Sequence, residues 1–197
     1  MPRVSRKQAE LNREIIVEAA TRLFREKGIH GISVSDVMAA AGLTHGGFYG
    51  HFESREALAT EACARAFEHS QLRWQSKLEE QPDPQTARLA VIAPYLSAQS
   101  RDNPGEGCPV AAFAGEMCHE ADGSALQRTF IEGLESLLGT FTGLQSAGAA
   151  PSDRQAALAQ YAMMVGALTL ARATRGSSLS DEFLDAARTA LTPDALQ

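Results

Sequence analysis

Residues 33–52 read Ser-Val-Ser-Asp-Val-Met-Ala-Ala-Ala-Gly-Leu-Thr-His-Gly-Gly-Phe-Tyr-Gly-His-Phe. Ser33 is a good N-cap, and Asp36 stands three positions on, in a capping-box position. Val34, Val37, Met38 and Ala41 then follow at helical spacing, which predicts a short helix with one apolar face. Gly42 ends it, Leu43 is an apolar plug, and Thr44 can cap a third, very short helix from His45 to about Tyr49. Two short helices around a tight glycine turn are helix-turn-helix grammar. In that motif the N-terminal residues of the second helix face base edges in a major groove, and the helix N-terminus itself favours phosphate. Thr44 and His45 hold that end. Gly46 and Gly47 cost a helix about 1 kcal/mol each relative to Ala. Local stability does not recommend them, whereas close approach of backbone to a large flat partner would.

Upstream, Leu11, Ile15, Ala19 and Leu23 recur every four residues, and Ile16, Ala20 and Phe24 widen the stripe. This predicts an amphipathic helix from Gln8 to Lys27, stopped by Gly28. Downstream, Ser54 caps a helix carrying Leu58, Ala62, Ala66 and Phe67, which Pro82 and Pro84 end. Further helices are predicted over 85–100 with a kink at Pro94, over 109–119, over 125–146, from a Ser152 cap to about Arg175, and from a Ser180 cap to about Leu191. No segment alternates as a strand and no repeat is evident. The fold class is therefore all-α, with about nine helices. An N-terminal three-helix helix-turn-helix DNA-binding domain, residues 1–55, is followed by a C-terminal helical domain, residues 56–197. The helix near residue 55 connects the two rigidly.

The first segment resembles the TetR family of bacterial transcriptional regulators. The matching residues are Ala19-Ala20, Leu23-Phe24, Gly28 to Val34, Asp36-Val37, Ala40 to Phe52 and Ser54 to Leu58. At matching positions the resemblance implies that Ser33 and Thr44 are phosphate-contacting caps. It implies that His45, Gly46 and Gly47 face the groove, that Tyr49 and His51 reach phosphate or base edges, and that Arg55 binds phosphate. Gly50 stands where the family often has a bulkier residue. Phe48 and Phe52 are read as core plugs beside Phe24, Val37 and Leu58. The resemblance further implies that residues 56–197 form a ligand-binding and dimerisation domain, with a homodimer built through the last two helices on a palindromic or near-palindromic double-stranded DNA operator.

Net charge is −6, which on its face argues against a nucleic-acid partner. The charge is uneven, however. Residues 1–55 hold eight Lys or Arg against six acids, and the remainder holds ten against eighteen. The head thus carries a surplus of two positive charges, so operator binding is expected to depend strongly on salt. Arg3, Arg6 and Lys7 are either a tail touching DNA or a solubilising start. No apolar stretch approaches the roughly 18–20 residues of a membrane span, and no apolar run follows the charged N-terminus. A cytoplasmic protein without a membrane partner is expected.

The 152–175 helix carries Ala156, Ala159, Ala162, Gly166 and other small residues, with apolar side chains on more than one side, as a helix pressed against a second subunit would. Phe67, Trp74, Phe113, Met117, Phe130, Leu134, Tyr161 and Met164 are candidate lining for a small, largely apolar inducer. Cys108, at a helix entrance in Gly107-Cys108-Pro109, resembles a branch of the family in which some members respond to electrophiles or oxidants, which makes a thiol switch the alternative. Cys118 and His119 lie beside Glu116 and Glu120, but helix neighbours point in different directions, so neither a metal nor another cofactor is expected. No nucleophile elbow, P-loop or dinucleotide fingerprint supports an enzyme.

Overall fold

Serine and aspartate set most of the helix starts. In the computed structural model, which describes residues 5–144 and 151–192 (side chains of 151–153 excluded), nine α-helices and two 3₁₀ helices occur among the described residues, with no strand. They are α1 (Arg6–Lys27), α2 (Val34–Ala40), a 3₁₀ helix (His45–Gly50), α3 (Arg55–Glu79), α4 (Pro84–Tyr95), α5 (Ala98–Asp102), a 3₁₀ turn (Pro104–Glu106), α6 (Pro109–Met117), α7 (Ala125–Gly143), α8 (Pro151–Ala173) and α9 (Ser178–Leu191). The side chains of Ser5, Ser33, Ser54, Asp83, Ser97, Ser124 and Ser177 each accept a backbone N–H from the first turn that follows. These bonds satisfy donors that the helix itself cannot.

Two expected boundaries move. The 85–100 helix does not kink at Pro94 but stops at Tyr95. Pro94 lacks an N–H to continue the ladder, and Ser97 starts a new helix, accepting from Ser100 N at 3.2 Å and donating to the Pro94 carbonyl at 2.8 Å. The last helix is capped by Ser177, not Ser180. Ser180 is buried inside it and donates to the Ala171 carbonyl of α8 at 2.7 Å. Arg3, the 147–150 part of the expected turn and the Ser152 side chain lie outside the described residues.

Helix α1 packs along α3, α3 along α7, and α8 along α9. One continuous apolar core runs from Ile16 and Phe24 in the head, through Leu58 and Phe67 on α3, to Met164 and Leu184. At the head end Phe48 is fully buried and stacks on Phe52 at 5.7 Å. The Arg13 guanidinium lies 4.6 Å over the Phe52 ring and is held there by Glu61. In the body Trp74, Phe141 and Tyr161 form a three-ring cluster with centroids 6.0–6.2 Å apart.

The α8 segment Arg154–Ala173 has a mean hydropathy of 1.2, long and apolar enough by composition to span a bilayer. This corrects the expectation that no such stretch exists. In the fold it lies against α9, and its outward face carries Ala156, Leu158, Ala159, Ala162, Met163 and Leu170.

Candidate nucleic-acid interface and internal cleft

Gly42, at φ +69°, closes α2 with a paired reversal, in which Leu43 N donates to Met38 O and Gly42 N to Ala39 O. The chain then enters the 3₁₀ helix His45–Gly50. Thr44 was expected to cap it, but its side chain makes no cap hydrogen bond. Three glycines in six residues disfavour the wider α-helix, and the segment winds tightly over the buried Phe48. The turn is pinned from beneath, so its polar groups face outward. Thr44, His45 and Gly46 are exposed, Gly47 and His51 are half-buried, and Tyr49 is 72% exposed. A Cβ added at Gly46 or Gly50 would meet no protein atom within 4 Å. Nothing within the chain therefore demands glycine at those positions.

Sequence reasoning missed Ser35, whose hydroxyl lies 3.1 Å from His45 Nδ1 and orients that ring. The pair is ten residues apart, so no local pattern announces it. Ser33 joins the capping box with Asp36, whose carboxylate accepts from the Ser33 N–H at 2.9 Å and from its hydroxyl at 2.6 Å. Those two bonds, the hydroxyl's first, hold the Asp36 pKa below the usual carboxylate range. Arg55 is turned inward. Its Nη2 donates to the carbonyls of Ile29 and Ile32, so it braces the 28–32 loop, and the phosphate role expected for it is not what this conformation displays. The same loop is held from the other side by Glu116 of α6, whose carboxylate accepts from Ile29 N at 2.9 Å and His30 N at 3.1 Å. Gly28, at φ +82°, passes so close to Glu116 that a Cβ would strike it.

The head's cationic surplus does not make a basic face. Arg6, Arg13 and Arg22 pair with Glu10, Glu61 and Glu26. Arg25 is buried, which lowers its pKa to about 10, and its Nη1 donates to the Gly107 carbonyl at 3.2 Å. Lys7 and Lys27 are exposed and outside any ion pair among the described residues.

Below the head, a cleft of about 330 Å³ opens between α3, α4, α5 and the 103–108 segment. Trp74, Val91, Tyr95, Cys108 and Leu137 form its apolar side, and Arg73, Lys77 and Asn103 are among its polar lining. Of the eight candidate pocket residues only Trp74 lines it. Phe113 and Met164 are fully buried, and Phe67, Met117, Phe130 and Tyr161 are buried core. The cleft takes no residue from within α6 or α8, and it meets α3 and α7 only further along, at residues 70–77 and at Leu137. Leu134 is half-buried against the same core. Cys108 is in the cleft wall and only 8% exposed. A second groove, apolar and on the surface, is lined by Met163, Gly166, Leu170, Phe183 and Ala186 of α8 and α9. Among the described residues no three His, Cys, Asp or Glu side chains gather as a metal site.

A three-helix head with an outward polar turn on an apolar plug defines a helix-turn-helix DNA-binding protein. Residues 16–62 match the model of the bacterial regulatory proteins of the tetR family. The chain is 34% identical over 110 residues to the HTH-type transcriptional repressor DhaR of Mycobacterium sp. (strain GP1), a match covering 56% of this chain and 54% of that protein. It is 31% identical over 121 residues to the transcriptional regulator LmrA of Bacillus subtilis, covering 56% of this chain and 64% of that one. The chain thus spans about half to two-thirds of the length of these relatives. The crystal structure of a TetR transcriptional regulator from Chloroflexus aurantiacus superposes with a TM-score of 0.79 at 27% identity, over 97% of each chain. Residues 16–62 are thus a tetR-family helix-turn-helix segment, and the chain as a whole shares the fold of a TetR transcriptional regulator.

Proposed function

We propose that this protein is a cytoplasmic homodimeric repressor that leaves its operator when a small, largely apolar ligand fills the cleft. The observation that carries the reading is the 3₁₀ turn His45–Gly50, whose buried Phe48 supports an outward row of Thr44, His45, Gly46 and Tyr49. Residues 1–55 read DNA, and residues 56–197 bind ligand and partner. Ser33, Thr44, His45, Gly46, Gly47, Tyr49 and His51 meet phosphate and base edges, and Arg55 serves by fixing the loop behind them. With most of the head's arginines engaged internally, neutral donors make most of the phosphate contacts. The salt dependence of binding is then shallower than the charge count suggests. The outward stripe of α8 and the groove beside α9 bury against the same surfaces of a second copy. This spaces two heads for adjacent major grooves, about 34–36 Å apart.

Helix α6 connects cleft to head. Its entrance, Cys108, is in the cleft wall, and Glu116 near its far end clamps the 28–32 loop. A ligand that shifts α6 alters the spacing of the heads and binds the DNA-incompetent arrangement more tightly. The test uses DNA selected from a random pool. His45→Ala and Tyr49→Ala should keep the melting temperature and the dimer mass but lose about 10–100-fold in affinity for that DNA, the worth of one or two base-edge contacts. Unchanged affinity in both variants removes the turn from recognition.

A second reading is favoured by one observation, the position of Cys108 in the cleft wall. There an electrophile or oxidant entering the cleft would act on the thiol. Equal loss of DNA binding by wild type and Cys108→Ser on treatment with N-ethylmaleimide rejects that switch.

A further inference from the structure

The His45 ring, at the front of the turn, is held by one contact. Its Nδ1 lies 3.1 Å from the hydroxyl of Ser35, and neither side chain makes another hydrogen bond or ion pair among the described residues. Ser35 stands in the first turn of α2, and His45 opens the 3₁₀ helix. The Gly42 reversal and the buried Phe48 fix these two segments against each other, so the contact is built into the turn.

The contact engages a particular nitrogen. His30 and His69 face Glu120 and Glu18 through Nε2, each at 3.5 Å, so in those rings Nε2 is occupied by a carboxylate. His45 is engaged through Nδ1, and its Nε2 has no partner among the described residues. The ring is exposed, and beside it a Cβ at Gly46 would meet no protein atom within 4 Å, so the way to that nitrogen is open.

The two nitrogens of a histidine are linked, since the bond made by one sets whether the other donates or accepts. A serine hydroxyl rotates to donate or to accept. As a donor, Ser35 occupies the Nδ1 lone pair and leaves the proton on Nε2, the tautomer that an isolated imidazole side chain already favours. The doubly protonated ring also donates from Nε2. Only the Nδ1–H tautomer turns Nε2 into an acceptor, and the donated hydroxyl excludes it. Without the hydroxyl the last torsion of the histidine is broad and roughly two-fold, and the ring presents either edge outward.

We propose that Ser35 is a positioning residue that makes His45 a donor through Nε2–H, so that the turn selects guanine at the base pair His45 meets. In the major groove guanine offers two acceptors, N7 and O6. Adenine sets its N7 beside an amino donor, thymine sets O4 beside a methyl group, and cytosine presents only an amino donor. A lone fixed donor therefore ranks guanine first and cytosine last. The proposal rests on the turn being the DNA-reading element and names the residue that sets what it reads.

The test selects DNA from a random pool with full-length wild type, His45→Ala, Ser35→Ala and Ser35→Thr, each first shown to keep its melting temperature. His45→Ala locates the base pair at which preference is lost, and the wild-type choice there should be guanine. Ser35→Ala should bind the wild-type DNA about two- to tenfold more weakly, the worth of one net hydrogen bond. It should relax the preference at that base pair and at no other, and Ser35→Thr, which keeps the hydroxyl, should restore both. Nitrogen NMR of isotopically labelled histidine rings should show the Nε2–H form for His45 in wild type and a mixture of tautomers in Ser35→Ala. Another base in place of guanine, a preference that survives Ser35→Ala, a loss spread evenly over all bases, or an Nδ1–H ring in wild type overturns the proposal. If His45→Ala loses affinity without changing any base preference, His45 meets phosphate and the proposal falls while the turn remains the DNA contact. If neither His45→Ala nor Tyr49→Ala changes affinity or preference, the reading of the turn falls as well.

Discussion

The reading turn and the cleft hold their polar groups in opposite ways. The turn sits on a single fully buried ring, Phe48, and directs His45 and Tyr49 outward from six consecutive residues. The cleft gathers Trp74, Tyr95 and Cys108 from three separate segments and hides its hydroxyls. The first arrangement suits a large partner that arrives preformed. The second suits a small one that must be desolvated before it is recognised. A display on one plug depends on that plug, whereas an assembled cavity depends on the helix pairs around it.

The largest expected effect tests the plug. Phe48→Ala removes a fully buried ring, at a cost of about 3–5 kcal/mol. Denaturant unfolding should show the loss, and DNA binding should vanish while Trp74 fluorescence, in the body, changes little. Equal disturbance of both would show that head and body do not differ in this way. On the body side, a Cβ at Gly133 would overlap the Phe67 ring where α7 crosses α3. Gly133→Ala should therefore cost about 1–3 kcal/mol through overpacking and alter ligand affinity more than DNA affinity.

The tie between the regions is tested by Glu116→Gln, which places an amide donor against two backbone N–H groups. A loss of about 1–3 kcal/mol is expected, with weaker DNA binding and a smaller response to any cleft ligand. An unchanged response would remove α6 from the coupling.

The smallest effect concerns Asp36. Its folded pKa is depressed, so its contribution is complete above the usual carboxylate value of about 4 and is lost as pH falls through the lower folded value. Asp36→Asn should be less stable than wild type at neutral pH, and the two stability curves should converge in acid. Parallel curves would deny the carboxylate its role in the cap.

Much of the head was legible because its signals are local. Ser33 with Asp36, Gly42 after one apolar face, and Phe48 and Phe52 four apart each act within a turn or two of chain. The inward turn of Arg55 was not legible, since the carbonyls that hold it lie 23 and 26 residues earlier. The Thr44 cap failed for a related reason. The glycines after it and Phe48 beneath it select a 3₁₀ helix whose first turn does not use the threonine hydroxyl.

In the body, the sequence offers Phe113, Phe130 and Met164 as pocket lining, whereas the structure buries them in the core away from the cleft. Burial alone does not distinguish a core residue from a cavity wall. That distinction arises where helices fail to meet, here beside the break after Pro94 and the Pro104–Glu106 turn. The sequence by itself determined most of the helices, the Ser33 and Ser54 caps and the family resemblance of the reading head, because each depends on residues a few positions apart. Only the tertiary structure decided which arginines remain free and which aromatic residues border empty space. Those properties depend on groups brought together from distant parts of the chain, and no periodicity records them.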